Sequence, residues 1–370
     1  MRSSLPLFFG IFVVMALSNA IVPVLPSYAP GSALQGAVYS AYFLGAFLIT
    51  LPAGILSDRY GRIPLLRTGL ILTLASGLLL LAYPQPAAVI VSRFLEGIGG
   101  GCFVAAAMAF VNSRPDHRKE SGILMAMLNG GLVTGLALSG WLAVFFKNSS
   151  YGILVFAALT VIPTTAMLLD RRPSAGNTGG GTGFIYPFVR DNCMIWYASI
   201  VLVGTTGVVA SLYPQFSGMS PDLAGIWIAA MSVSTIVSVL VASNFTGNPV
   251  RVIRWSAVLM AVGVGVTFFS PAGFIVIGAI AGCVMIAIMA ALSGQREQQG
   301  ILMGLFSTSS YLGMALLPFA AGLIADSSGF PWAFLVTALL ALTVAFTIGR
   351  CSSSCTGTTQ ENKKQYIHQR

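Results

Sequence analysis

Gly54-Ile55-Leu56-Ser57-Asp58-Arg59-Tyr60-Gly61-Arg62 sets an acid, two arginines and two glycines between two long apolar runs. The flanking runs, residues 33–56 and 64–83, are each long enough to cross a bilayer, which takes about 20 apolar residues. A charged turn this short, between runs this long, reads as a hairpin of a polytopic membrane protein. Its arginines place it on the cytoplasmic side, where Lys and Arg collect.

The same pattern extends along the chain. Apolar runs of spanning length cover residues 5–25, 33–56, 64–83, 87–111, 122–146 and 151–169. After a polar, glycine-rich break they resume at 194–213, 223–245, 250–269, 272–292, 301–325 and 330–348. The break over 170–183 reads DRRPSAGNTGGGTG, which is linker composition. The expected fold is therefore all-α and polytopic, with twelve transmembrane helices in two six-helix halves. Residues 1–169 form the first bundle, 170–190 a cytoplasmic linker, 191–349 the second bundle and 350–370 a cytoplasmic tail.

Composition agrees. Charged residues make up 8% and apolar residues 56% of the 370, with mean hydropathy +0.86. Soluble domains carry about 25% charged residues, so too little polar surface exists here to face water. The net charge of +9 does not point to nucleic acid, because the basic residues are scattered over short loops with no basic face. With the N-terminus inside, alternation puts all of the 19 basic residues on the inner side except Lys147, outside, and Arg93, within a span. Both termini are thus expected in the cytoplasm and the protein in the cell membrane. A second reading of the start, a signal peptide cleaved near Ser18-Asn19-Ala20, would leave eleven spans and break the six-plus-six order.

An internal repeat supports that order. Gly122-Ile123-Leu124-Met125 recurs as Gly300-Ile301-Leu302-Met303, and at the same offset Gly135, Ala137 and Leu138 meet Gly313, Ala315 and Leu316. Arg118 aligns with Arg296 in the same register. Spans five and eleven are equivalents in two duplicated halves.

Inside the spans, the ionisable pair is Arg93 and Glu96, three residues apart on one helix face. An unpaired charge at such depth costs at least about 2.5–3.5 kcal/mol. Two readings stand: an ion pair that pins helices, or a pair facing a water-filled cavity that handles protons or substrate. Hydroxyls and aromatics of other spans are cavity candidates: Asn19, Tyr42, Asn129, Trp227, Ser307 and Tyr311, with Ser232, Ser234 and Thr235 beside them. A cavity with one acid and many apolar and aromatic surfaces suits a neutral, amphipathic or cationic organic solute. It suits a phosphate ester or dicarboxylate poorly.

The pattern G-x-x-x-D-R-x-G-R, carried by Gly54, Asp58, Arg59, Gly61 and Arg62, resembles the loop 2–3 signature of the major facilitator superfamily of secondary transporters. Arg93-Phe94-Leu95-Glu96-Gly97-Ile98-Gly99-Gly100-Gly101 is similar to the family's motif B, with Glu96 where glutamine is common. Gly131, Gly135, Ser139 and Gly140 resemble the antiporter motif C, with Leu136 in place of proline and Ser139 in place of a glycine. Pro23-Val24-Leu25-Pro26-Ser27-Tyr28 is similar to the end of span one in twelve-span drug/proton antiporters. The resemblance implies that Arg93 tunes Glu96, which carries the proton. It also implies that Asp58 gates against the start of span eleven near Gly300, with Arg59 and Arg62 tying the loop to neighbouring helices and lipid. Thr246-Gly247-Asn248-Pro249-Val250-Arg251, the matching loop of the second half, has lost the acid, so that latch is one-sided.

The function implied is secondary active transport by alternating access, as proton-coupled efflux of a small organic or drug-like solute. A uniporter or importer of a metabolite is the alternative within transport, and a non-transporting membrane sensor or interaction protein the alternative outside it. A monomer suffices for the fold. No cofactor and no enzyme activity are expected, since no nucleophile, base and orienting group come together and no phosphate-binding loop is present. Of five cysteines, three read as small buried hydrophobes, and Cys351/Cys355 sit in a Ser/Cys tail with no metal-ligand spacing. Asn148-Ser149-Ser150 is a glycosylation sequon on a short outer loop.

Overall fold

A computed structural model describes residues 5–114, 117–169, 189–190, 192–243, 247–292 and 299–349, with backbone alone for 58–59, 117–118 and 299–303. The 170–183 break, Arg296 and the Cys351/Cys355 tail lie outside the described residues. Among the described residues there are twelve spans of sufficient length and apolarity, the first over Leu5–Tyr28; their main helices are α1 Leu5–Ala20, α2 Ser32–Tyr60, α3 Arg62–Ala82, α4 Pro86–Asn112, α5 His117–Phe145, α6 Tyr151–Leu169, α7 Cys193–Ser217, α8 Pro221–Ala242, α9 Pro249–Phe269, α10 Gly273–Leu292, α11 Gln299–Ser328 and α12 Phe330–Thr347. Among the described residues there is no strand, as expected where only internally bonded backbone is stable in lipid.

The first span is not one uninterrupted helix. After Ala20 the chain makes a 3-10 turn over Val22–Val24 and a single α-turn over Leu25–Tyr28. Pro23 and Pro26 supply no N–H at these positions, which is why the regular helix stops short. The prolines inside α2, α6, α7 and α11 do not end their helices. The opening motif is more helical than a hairpin reading implies: α2 runs through Asp58 and Arg59 to Tyr60, and α3 starts at Arg62. The whole turn is Gly61, whose φ of +84° is open to glycine and strained for a side chain.

The internal repeat has a structural counterpart. Gly135 of α5 lies against the Ala16 carbonyl of α1, and its repeat partner Gly313 of α11 lies against the Ile200 carbonyl of α7. Arg67 Nε donates to the Met167 carbonyl near the end of α6 (2.9 Å), and Arg254 Nη2 donates to the Ile348 carbonyl after α12 (2.9 Å). The two arginines stand equally far into α3 and α9. Each ties down the last helix of its half, where carbonyls lack partners.

The halves touch chiefly through two helix pairs, α2 with α11 and α5 with α8; α2 also meets α7, and the turns after α1 meet α7 and α8. Both helix pairs meet backbone to backbone. A Cβ on Gly36 would strike the Pro318 carbonyl, and one on Gly322 the Ser32 carbonyl; a Cβ on Gly225 would strike the Leu136 carbonyl, and one on Gly140 the Pro221 carbonyl. Each pair therefore has one glycine from each helix, and all four contacts lie towards the end away from the Asp58 motif. Towards the motif end, Gly304 meets only Leu51, at 4.0 Å, and Gly54 meets nothing. Close glycine-to-backbone contacts between the halves are thus gathered at the far end, and Gly54 and Gly304 make none near the motif end.

Close backbone approach of this kind sharply limits substitution. Gly135→Ala and Gly313→Ala each force a methyl into a neighbouring backbone and should cost about 1–3 kcal/mol, read as a lower thermal midpoint in detergent. Gly265→Ala, where a Cβ meets nothing within 4 Å, should leave the midpoint unchanged or raise it.

Candidate functional site

α4 begins with Pro86 at its first turn and carries Arg93 and Glu96 into the first bundle. Their side chains are 2% and 3% exposed. Arg93 Nη1 bonds the Glu96 carboxylate and also the Ser18 carbonyl of α1, at 2.9 Å. The guanidinium lies over the ring of Tyr42 of α2, 4.6 Å from its centroid, a distance at which the ring face attracts a cation. Three helices thus converge on one charge. Glu96 Oε1 and Arg93 Nε are buried without a hydrogen-bond partner.

The glycines of the same stretch explain how so many groups reach Arg93. Gly97 takes the Tyr42 carbonyl where a Cβ would stand, and Gly45 of α2 takes that of Phe94. Gly101 faces Ile49 and Thr50 of α2, while Gly99 faces Gly69 and Thr73 of α3. Gly100 leaves room for the Tyr42 hydroxyl, which sits 2.8 Å from where its Cβ would be. Side chains at these positions would push α2 away and lift Tyr42 off the guanidinium.

From Tyr42 an aromatic chain continues to the other half. Phe43 is edge-on to Tyr42 with centroids 5.0 Å apart, 5.1 Å from Tyr39, and 6.0 Å from Tyr311 of α11. The expected residues Arg93, Glu96, Tyr42 and Tyr311 therefore form one constellation. Asn19 adjoins it through Ser18, with its amide bonded to the Met15 carbonyl (2.9 Å) and Ser18 Oγ (3.2 Å). Asn129 bonds the Met125 carbonyl of its own helix. None of the described hydrogen bonds or ring contacts joins Asn129, Trp227 or Ser307 to this group.

Other hydroxyls act in packing. Ser234 and Thr235 of α8 donate to the Ile275 and Gly278 carbonyls of α10, and Ser232 to Ile228 of its own helix. Ser199 of α7 meets Ser309 and Ser310 of α11. Within the antiporter-like stretch, Gly131 and Gly135 pack on Phe12 and Ala16 of α1, Ser139 donates to the Ala20 carbonyl, and Gly140 meets α8. Of the loop motif, Arg62 bonds Ser113 at the end of α4; the Asp58 and Arg59 side chains lie outside the described residues. Cys102 is buried, Cys283 is half-buried with its sulfur bonded to the Ser238 hydroxyl of α8 (3.2 Å), and Cys193 is exposed at the start of α7. Residues that the sequence did not mark are Tyr39, Phe43 and the Ser18 carbonyl. A phenylalanine in an apolar span and a backbone oxygen carry no signal of their own.

A family model for the Major Facilitator Superfamily matches residues 7–219 and 194–365, and the chain belongs to that family of transporters. It is an integral, multi-pass membrane protein that moves a small-molecule substrate, and not an enzyme. It is 24% identical over 350 residues to Multidrug resistance protein 2 of Bacillus subtilis (strain 168), covering 86% of this chain and 87% of that one. It is 25% identical over 169 residues to Quinolone resistance protein NorA of Staphylococcus aureus (strain MRSA252), covering 42% and 44%. The fold is that of the nucleoside transporter NupG (TM-score 0.75, 14% identity, 95% of this chain and 100% of that one). It is also that of a bacterial homologue of the lysosomal transporter Spinster in an inward-facing, occupied state (TM-score 0.74, 12% identity, 95% and 96%).

Removing one partner of a buried pair leaves the other charge stranded, at a cost of about 3–5 kcal/mol, whereas replacing both with apolar groups is close to neutral. Glu96→Met should therefore lower the unfolding midpoint in detergent far more than Arg93→Met/Glu96→Met does. Equal losses would show that the two side chains are not coupled.

Proposed function

We propose that the protein exports a small organic, drug-like solute in exchange for protons, by rocking its two halves about the Arg93–Glu96 constellation. The observation that carries this reading is a buried carboxylate with one oxygen bound to Arg93 and the other without a partner. A group held in that way has one oxygen available to a proton or to a donor on a substrate. Protonation would cancel the charge that holds the Arg93 side chain beside Glu96. Arg93 would keep its bonds to α1 and to the Tyr42 ring, so the change is felt by α1 and α2. The Phe43–Tyr311 contact extends that path to the second half.

The relatives named for multidrug and quinolone resistance support export of drug-like compounds. The aromatic, otherwise uncharged surroundings of Glu96 support the same class. The distribution of basic residues supports an orientation with the Asp58 motif and both termini in the cytoplasm, in a cell membrane; on that reading the close glycine contacts between the halves lie on the outer side. Residues 1–169 and 191–349 are the moving bundles, joined through 170–190, with 350–370 as a tail. Asp58 is the proposed gate at the motif end, engaged when the halves close there, with Gly54, Arg59, Gly61 and Arg62 shaping that turn. Gly131, Gly135, Ser139 and Gly140 are the packing positions on which α5 bears. The unit is a lipid-embedded monomer.

The test is flux in proteoliposomes, using a fluorescent quinolone and an amphipathic cationic dye as probes. An imposed pH gradient should drive accumulation of at least one probe by the wild type, and Glu96→Gln should fall to the level of protein-free vesicles while binding the probe. Gradient-independent equilibration, unchanged in Glu96→Gln, would identify a uniporter and overturn the proposal.

A further inference from the structure

The far end holds a contact of a different kind from the glycine packing around it. α2 starts at Ser32 with Gly31 as its cap residue; Gly31 has no side chain to offer, and the first turn contains no acid. The first N–H groups of a helix need acceptors, and a carboxylate suits that end best because the helix dipole is positive there. The acceptor comes from the other half. Asp326, near the end of α11, takes the Ser32 N–H on Oδ1 at 2.8 Å. Around it, Ser32 Oγ donates to Gln215 Oε1 of α7 at 3.3 Å, and Gln35 Nε2 closes the preceding loop on the Ala29 carbonyl at 3.0 Å. The matching helix start at α8 differs in carrying an acid, Asp222, in its own first turn.

We propose that Asp326 is a latch that holds the halves together at this end. The cap exists only while α11 lies against the start of α2. If the halves part here, the Ser32 N–H exchanges a charged partner for water and the contact is lost. α2 and α11 run antiparallel, so the end of each is on the same side as the start of the other. Asp326 is thus the far-end counterpart of the role proposed for Asp58 at the motif end. The two caps sit at opposite ends of one helix pair and alternate as the halves rock. The inference rests on the alternating-access reading above. Its test needs neither substrate nor a proton gradient, so the two stand or fall separately.

Spin labels on Gln85→Cys and Ala272→Cys, exposed at the far end of each half, report separation there by pulsed electron resonance once the native cysteines are replaced. Asp326→Ala should raise the population with the far end apart about fivefold, the usual worth of a lost helix cap. Ser32→Pro should do the same, because proline fits the first helical position but has no N–H to donate. Ser32→Ala keeps the N–H and loses only the bond to Gln215, so its distances should match the wild type. Ser32→Pro/Asp326→Ala should go no further than either single change. The latch is refuted if Asp326→Ala and Ser32→Pro leave the distances unchanged, or if Ser32→Ala shifts them as far as Ser32→Pro.

Discussion

A guanidinium placed in hydrocarbon has to find all its partners within the protein, and the first half of this chain is built around that demand for Arg93. It takes a carboxylate from its own helix, a carbonyl from α1 and a ring face from α2. One of these partners, the Tyr42 ring, is reached only because glycines let α2 and α4 approach backbone to backbone. The packing of three helices and the electrostatics of one side chain are therefore the same problem. A larger residue at Gly45 or Gly97 would disturb the charge, and a change at the charge would be felt in the packing.

The same device, used between the halves rather than within one, shapes the conformation. Lipid offers helices little hydrophobic reason to associate, so contact depends on van der Waals fit and on small residues that permit it. The α2–α11 and α5–α8 pairs each present one glycine from either side, all towards one end. The equal placement of Gly36 in α2 and Gly225 in α8 follows from the duplication, as does that of Arg67 and Arg254. The Asp326 cap breaks that symmetry, since the two halves have diverged where polar groups meet between them. Shape complementarity is thus shared by both pairs, while the charged contact belongs to one.

The legible parts of the fold were those that depend on the bilayer as solvent. Twelve apolar runs became twelve spanning helices, and the Gly122/Gly300 repeat reappeared as matching contacts of Gly135 and Gly313. Boundaries were less legible where prolines act: the first helix stops at Ala20, while α11 continues three residues beyond the expected end at Ala325. At the site, Arg93 and Glu96 stood out because charge is rare in these spans. The hydroxyls of α8 were misleading in part, because Ser234 and Thr235 spend theirs on carbonyls of α10. Hydroxyl composition alone does not separate a cavity wall from helix-to-helix bonding.

Sequence by itself determined the class of protein, the number of spans and the pairing of an acid with a base in the fourth. Each follows from local arithmetic: the length that crosses a bilayer, the scarcity of charge, and a three-residue spacing on a helix. Tertiary structure alone decided that Tyr42 and the Ser18 carbonyl complete the Arg93 site, that Phe43 reaches Tyr311, and that Asp326 serves as the missing cap of α2. Those partners are separated along the chain, and Asp326 lies in a Ser- and Gly-rich stretch that reads as an ordinary loop. Nothing local tells an acid which helix end it will meet, because that is fixed only when two long helices cross at a chosen depth.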